Sequence, residues 1–348
     1  MAEAQSLVRS RDPSGLAGAR ARFAGLILCA IALALSACAP RLAERGSLMG
    51  PPALLEKAWR TRDGISLPLR VWKVERPRAV IVALHGMNDY SRAFDMPGAW
   101  WADRGIAVYA YDQRGFGEAP QRGIWAGGEV MAEDARDMVA LVRAAHPGIP
   151  VYLLGESMGG AVAILAATGD EPLDADGLVL SAPAVWGWSS LDWSARAALW
   201  ITAHLQPWGP LEPPQGLKIV PSDNRAALRE LASDPLFIKV TRSDALYGLV
   251  DLMELANANA ARVRLPVLLL YGGRDDIVPP SPTVKVMREL SPQARIAVYD
   301  NGYHMLLRDY QREKVWRDIQ AFIEGTERPL PSGSEKSAEE AARILNEM

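Results

Sequence analysis

Ser157 stands in Val151-Tyr152-Leu153-Leu154-Gly155-Glu156-Ser157-Met158-Gly159-Gly160, an apolar run that ends in Gly-x-Ser-x-Gly, with Ala161-Val162-Ala163-Ile164-Leu165 directly behind it. The pattern predicts a buried strand, a sharp turn and a helix. A serine on such a turn lifts its hydroxyl above the end of a sheet, and the flanking glycines prevent a collision where strand and helix cross. Ser157 is therefore a candidate nucleophile for an acyl carbonyl. A serine hydroxyl is a weak nucleophile by itself, so the chemistry requires a general base and a carboxylate that holds the base in one tautomer. Glycine and serine are common in this chain, so the motif has to be judged by whether those partners exist.

The chain contains four histidines. His304 lies in Tyr299-Asp300-Asn301-Gly302-Tyr303-His304, after the short apolar run 296–299 and before a helical segment starting near Asp309. A strand-end loop can carry it to Ser157, and the chain order nucleophile, acid, histidine favours it as the base. His85 follows Ala79-Val80-Ile81-Val82-Ala83-Leu84 and precedes Gly86, where shaping a loop is the simpler role. His146 ends a helix ahead of Pro147-Gly148, a capping position, and His204 reads as a partly buried side chain among tryptophans. The acid is expected between Ser157 and His304, after another strand. Residues 265–271 form such a run and lead into Gly272-Gly273-Arg274-Asp275-Asp276-Ile277-Val278-Pro279. Adjacent aspartates point in different directions, so one can serve His304 while the other caps the turn; the residues alone leave the choice open. The oxyanion needs two backbone N–H groups. Met158 offers one by following the nucleophile, and the loop His85-Gly86-Met87-Asn88 offers the other, with Met87 as the candidate donor.

These side chains need a frame. Strand-like runs recur at 67–74, 79–84, 106–111, 151–154, 178–181, 267–271 and 295–299, with helical patterns between most of them. Over 129–145, Val130, Met131, Asp134, Met138, Leu141 and Val142 fall mostly on one helical face. Strands alternating with helices predict a mainly parallel sheet flanked by helices on both sides, with the site at the C-terminal strand ends. The alternation breaks between Pro183 and about Arg264, where Trp186, Trp188, Trp193, Trp200 and Trp208 cluster with Pro207, Pro210, Pro213 and Pro214. This segment, about 184–264, reads as a helical cap inserted into a domain spanning 54–325. Packing against the core is the expectation for most of these rings, with one or two lining an acyl pocket; a membrane interface is the other setting that suits them. Residues 326–348 read as a Pro/Gly/Ser stretch and a charged helical pattern, expected as a solvated helix or frayed tail.

Taken together, the motifs resemble the monoacylglycerol lipase and lysophospholipase branch of the α/β-hydrolases, of the serine aminopeptidase S33 type. The resemblance is carried by His85-Gly86, Asp112-Gln113-Arg114-Gly115-Phe116-Gly117, the segment around Ser157, Ser233-Asp234-Pro235-Leu236, the turn 272–279 and Gly302-Tyr303-His304, and it covers roughly 54–324. It implies the α/β-hydrolase fold and a Ser157-His304-Asp275 triad. In that family the acid is separated by one residue from an Ile-Val-Pro type sequence, which selects Asp275 over Asp276. The implied activity is a serine carboxylester hydrolase that forms an acyl-enzyme from a monoacylglycerol or lysophospholipid, with Met87 and Met158 as oxyanion donors and neither cofactor nor metal. Two positions depart from the family: Ala119 stands where serine is frequent, and Asn88 where glycine is usual. A related aminopeptidase activity would need an acidic pair in the cap, for which Glu212, Asp223, Glu230, Asp244, Asp251 and Glu254 are available. A non-catalytic, lipid- or partner-binding lipoprotein would be expected to have lost a triad member, and all three are present.

A chain of 348 residues with 49 % hydrophobic content can bury one large α/β core plus an insert, and a formal charge of −3 argues against nucleic acid as a partner. No internal repeat or metal-spaced His/Cys cluster is visible, and the two cysteines are Cys29 and Cys38. Arg9, Arg11, Arg20 and Arg22 precede an apolar stretch over 23–35 that is short for a transmembrane helix, and Leu35-Ser36-Ala37-Cys38 follows. This arrangement resembles a bacterial lipobox, with residues 1–37 as signal peptide, Cys38 as the lipid-modified first residue and 38–53 as linker. Ala39 behind the cysteine then implies outer-membrane sorting, and the enzyme would meet the membrane through its lipid anchor. The competing readings are ordinary secretion, which Pro40 disfavours, and translation from Met49, which would leave a cytoplasmic enzyme.

Overall fold

The computed structural model describes residue 25 and residues 39–47, 49–211 and 219–347. Apart from residue 25, the leader 1–37 lies outside the described residues, as do Cys38, Glu212, Pro213 and Pro214.

Short strands β1 (Ala53–Leu54) and β2 (Ala58–Arg60) join β3 (Ser66–Trp72) in an antiparallel edge. The long apolar runs make the middle of the sheet: β4 (Ala79–Leu84), β5 (Ile106–Tyr111), β6 (Val151–Glu156) and β7 (Gly177–Ser181). A two-stranded ladder of β8 (Pro210–Leu211) and β9 (Thr241–Arg242) belongs to the cap, after which β10 (Val267–Gly272), β11 (Arg295–Tyr299) and β12 (Glu335–Lys336) complete the main sheet. Its ten strands lie in the order β1-β2-β3-β5-β4-β6-β7-β10-β11-β12, parallel from β5 to β11. The central strands are apolar at nearly every position because helices cover both faces, and an alternating pattern would bury polar groups on one of them.

On one face, α1 (Asp95–Ala102) packs Trp101 against the sheet. The opposite face carries α2 (Gly128–Ala145) and α3 (Met158–Thr168), with Val80, Val82 and Leu84 of β4 facing them while Ile81 and Ala83 face the α1 side. The cap contributes α4 (Trp193–Leu205), α5 (Arg225–Ser233) and α6 (Ser243–Asn259). Helix α3 is apolar all round because α6 lies across its outer side. Helices α7 (Pro280–Glu289), α8 (Arg312–Glu324) and α9 (Ala338–Glu347) close the two layers.

Three expectations are corrected. The linker is laid onto the domain: Ala43 N donates to Trp125 O at 2.7 Å, and Gly46 N to Asp63 Oδ2 at 3.0 Å. The tail docks instead of fraying. Its strand β12 pairs with β11, Arg295 grips Glu335, and α9 buries Ala341, Ala342 and Leu345 in the core shared with α7. The cap tryptophans divide: Trp186 and Trp188 pack on the core, whereas Trp193 is 82 % exposed, and Trp200 and Trp208 are about half exposed.

Candidate active site

The turn between β6 and α3 puts Ser157 at φ 54°, ψ −117°, a left-handed conformation that costs a non-glycine residue energy and is maintained by its surroundings. Ser157 N donates to Ser181 O at 2.9 Å, and its carbonyl accepts from Gly160 N at 2.9 Å and Ala184 N at 3.0 Å. A Cβ on Gly159 would sit 2.2 Å from Leu84 O, so only glycine lets the helix leave the sheet this closely.

Asp275 and His304 emerge from the neighbouring ends of β10 and β11. Asp275 Oδ2 accepts from His304 Nδ1 at 2.8 Å, and its other oxygen accepts from the amides of Ile277 (2.8 Å) and Val278 (3.0 Å). The Asp275 side chain is fully buried. Asp276 is exposed and turned to the cap strap, where it takes the Val220 amide at 3.4 Å. Burial works against a charged His304, but the Asp275 carboxylate outweighs it and holds the imidazole pKa above its ordinary value. With Nδ1 committed to Asp275, Nε2 is the nitrogen left to act as a base. Neither Nε2 nor Ser157 Oγ has a hydrogen-bond partner among the described residues. In the sheet, β7 and β10 separate β6 from β11, about 14 Å at ordinary strand spacing. The histidine loop crosses that gap: Arg308 Nη2, four residues past His304, lies 3.1 Å from Glu156 Oε2, next to the serine. Burial raises the Glu156 carboxyl pKa, opposed by Arg308.

The third loop follows β4. A Cβ on Gly86 would approach Ser157 Cβ to 3.2 Å, so this loop runs directly over the serine. His85 is structural. Gln113 N donates to its Nε2 at 3.0 Å, which leaves the proton on Nδ1 to bond Gly86 O at 2.8 Å, and full burial keeps the ring neutral. Asn88 takes the backbone conformation that glycine usually supplies, φ 68°, and its side chain donates to Thr241 Oγ1 in the cap at 2.7 Å. The amides of Met87 and Met158 have no acceptor among the described residues; Met158 opens α3, where an unpaired N–H is expected. A narrow cleft lined by Met87, Phe116, Ile124, Trp125, Ile238 and Ala245 begins at this loop.

The remaining candidates are scaffold. Asp112 accepts the amides of Ser91 and Glu118, and Arg114 forks between Asp63 and Asp134, which explains why Asp134 falls on the buried face of α2. His146 caps α2 and meets Tyr109, while His204 stacks on Trp200. In the cap, Glu230 pairs with Arg92 and Asp244 with Arg242. Asp251 accepts from Trp188 Nε1, Glu254 from Ser189, and Asp223 from the Tyr310 amide. The Asp89-Arg308-Glu156 cluster was not legible as a unit. Its signal is Glu156 itself, a carboxylate at the end of an otherwise apolar strand run, which when buried demands a cation nearby.

The family model for serine aminopeptidase, S33 (Hydrolase_4) matches residues 75–311, from before β4 to the start of α8. Human monoglyceride lipase is 29 % identical over 274 residues, 75 % of this chain and 88 % of that enzyme. Phospholipase YtpA of Bacillus subtilis is 26 % identical over 261 residues, 73 % of this chain and 98 % of that one. Among solved structures, the monoacylglycerol lipase of Paleococcus ferrophilus matches with a TM-score of 0.62 at 26 % identity, covering 74 % of this chain and 98 % of that one. The likeness is to α/β-hydrolases of the lipase and esterase type, in fold and in sequence. The chain belongs to the serine aminopeptidase S33 (Hydrolase_4) family of α/β-hydrolases.

Proposed function

We propose that the protein is a serine carboxylester hydrolase acting on a monoacylglycerol or a lysophospholipid through Ser157, His304 and Asp275. The observation that carries this reading is the 2.8 Å bond from a buried His304 to Asp275, in a loop folded back onto the strained Ser157 turn. In the reaction, Ser157 Oγ attacks the ester carbonyl carbon while its proton passes to His304 Nε2. The oxyanion is met by the Met87 and Met158 amides, and Asp275 stabilises the imidazolium. His304 then protonates the departing oxygen of glycerol, or of the glycerophosphodiester when the substrate is a lysophospholipid, leaving an acyl-enzyme. Water, deprotonated by the same nitrogen, attacks the acyl carbon and releases the fatty acid with Ser157 restored.

The ester reading is favoured over the aminopeptidase one because each described acidic candidate of the cap is already engaged, Glu230 and Asp244 by arginine. A free amine at Glu230 or Asp244 would have to compete with that arginine. The decisive assay compares long-chain monoacylglycerol, lysophospholipid, short nitrophenyl esters and aminoacyl amides, each with Ser157→Ala as control. Ser157-dependent turnover led by the long-chain lipids is expected. Preference for aminoacyl amides, or residual turnover in Ser157→Ala, would overturn the reading.

The lipid anchor at Cys38 belongs to the same proposal. It is supported by α4, where Trp193, Trp200, Ile201 and Leu205 occupy one broad exposed face and Trp208 follows, the aromatic composition that settles at membrane interfaces. Radiolabelled fatty acid should be incorporated by the wild type and lost in Cys38→Ala; equal labelling of both would exclude the anchor.

A further inference from the structure

The three loops that must act together come from distant parts of the sequence, and one side chain belonging to the third touches the other two. Arg308 Nη1 lies 2.6 Å from Asp89 Oδ2, and Nη2 lies 3.1 Å from Glu156 Oε2. Asp89 is two residues past Met87 on the oxyanion loop, Glu156 is bonded to Ser157, and Arg308 follows His304 by four residues. All three side chains are buried. The arginine is fixed at its own backbone as well: its amide donates to Met305 O at 2.8 Å, and its carbonyl accepts Asn224 Nδ2 at 2.9 Å. Asp89 is oriented by the Tyr90 amide on its other oxygen, at 2.9 Å.

We infer that Arg308 is a positioning residue which, through Asp89 and Glu156, sets the oxyanion loop, the nucleophile turn and the histidine loop in register. The inference rests on the serine hydrolase reading above. Only a guanidinium suits this task, because its planar fork can address two carboxylates in fixed directions at once, whereas an ammonium is a single point charge. Stability alone does not account for the cluster. One cation faces two carboxylates, Arg308 Nε and Glu156 Oε1 are buried without partners, and buried ion triads are often matched or bettered by apolar side chains. Apolar packing would lack direction, however, and an attack geometry misplaced by about 1 Å can cost about 100-fold in rate.

The test compares wild type, Arg308→Lys, Arg308→Met and the neutral triple variant Asp89→Asn/Glu156→Gln/Arg308→Met. Three quantities are read: the fluorophosphonate labelling rate of Ser157, kcat and KM for a soluble ester, and the melting temperature. Wild-type protein that fails to label overturns the nucleophile assignment and this inference with it. Given labelling, Arg308→Met should lose about 100-fold in kcat and labelling rate, with KM moved by less than about threefold. Arg308→Lys should fall between wild type and Arg308→Met. The neutral triple variant, free of unpaired buried charge, should melt near the wild type yet remain as slow as Arg308→Met. If Arg308→Met does not fold, the triple variant and Arg308→Lys decide. A folded triple or lysine variant that labels and turns over at the wild-type rate would mean that Arg308 merely fills and neutralises its space, and would overturn the inference.

Discussion

Around the C-terminal ends of β4, β6, β10 and β11, charged side chains are buried against one another: Asp275 holds His304 and two amides, and Arg308 holds Asp89 and Glu156. In the cap a few residues away, α4 turns Trp193, Trp200, Ile201 and Leu205 outward and buries only Leu199 and Ala203. The two regions reverse the usual assignment of polar and apolar groups. The strand ends spend polar groups in a dry setting because directed hydrogen bonds fix geometry there, and a misdirected base is chemically useless. The cap leaves apolar side chains in contact with water, a surface that the proposed lipid substrate or membrane would cover.

The largest effect is expected from Asp275→Asn, measured beside Asp276→Asn. Losing the Asp275 charge should cost about 10⁴-fold in kcat with the fold intact, whereas the exposed neighbour should change kcat little; equal effects would mean that the Asp275–His304 bond is structural. Gly159→Ala comes next. Its Cβ meets Leu84 O at 2.2 Å and His85 O at 2.9 Å, so unfolding experiments should show a loss of about 3 kcal/mol. The pH profile is subtler. His304 must be neutral to act, and Asp275 raises its pKa, so kcat/KM should fall on acidification with an apparent pKa above the ordinary histidine value of about 6.5. In Asp275→Asn burial is left opposing the imidazolium, and the residual activity should persist to lower pH; a limb moving upward would contradict that sign. The smallest effect on the protein itself is expected in the cap. Trp193→Ser/Trp208→Ser should change stability by no more than about 0.5 kcal/mol and leave soluble-ester turnover intact, while slowing hydrolysis of vesicle-borne substrate. Equal loss on both substrates would place those rings in the chemistry instead of at a lipid surface.

What could be read in advance follows the same division. The runs that became β4 to β7, β10 and β11 are continuous and apolar, and each is closed by glycine or a polar turn, so strand and strand end were legible together. The serine turn was legible because its glycines are steric necessities. The choice between Asp275 and Asp276 was not, since it depends on where β11 delivers His304, and only the resemblance selected one. The tail was misread because the stripe that seats α9 is narrow, Ala341, Ala342 and Leu345 among charged neighbours, and composition hides it. The tryptophans were misread because a large apolar ring gives no sign of whether its partner is the core or something outside the chain.

The most direct test of the central claim is to treat folded protein with a fluorophosphonate and locate the adduct by mass spectrometry, in the wild type and in His304→Ala. A single adduct on Ser157 is expected, forming rapidly in the wild type and almost not at all without His304. An adduct on another serine, or one on Ser157 that forms equally fast without His304, would contradict it.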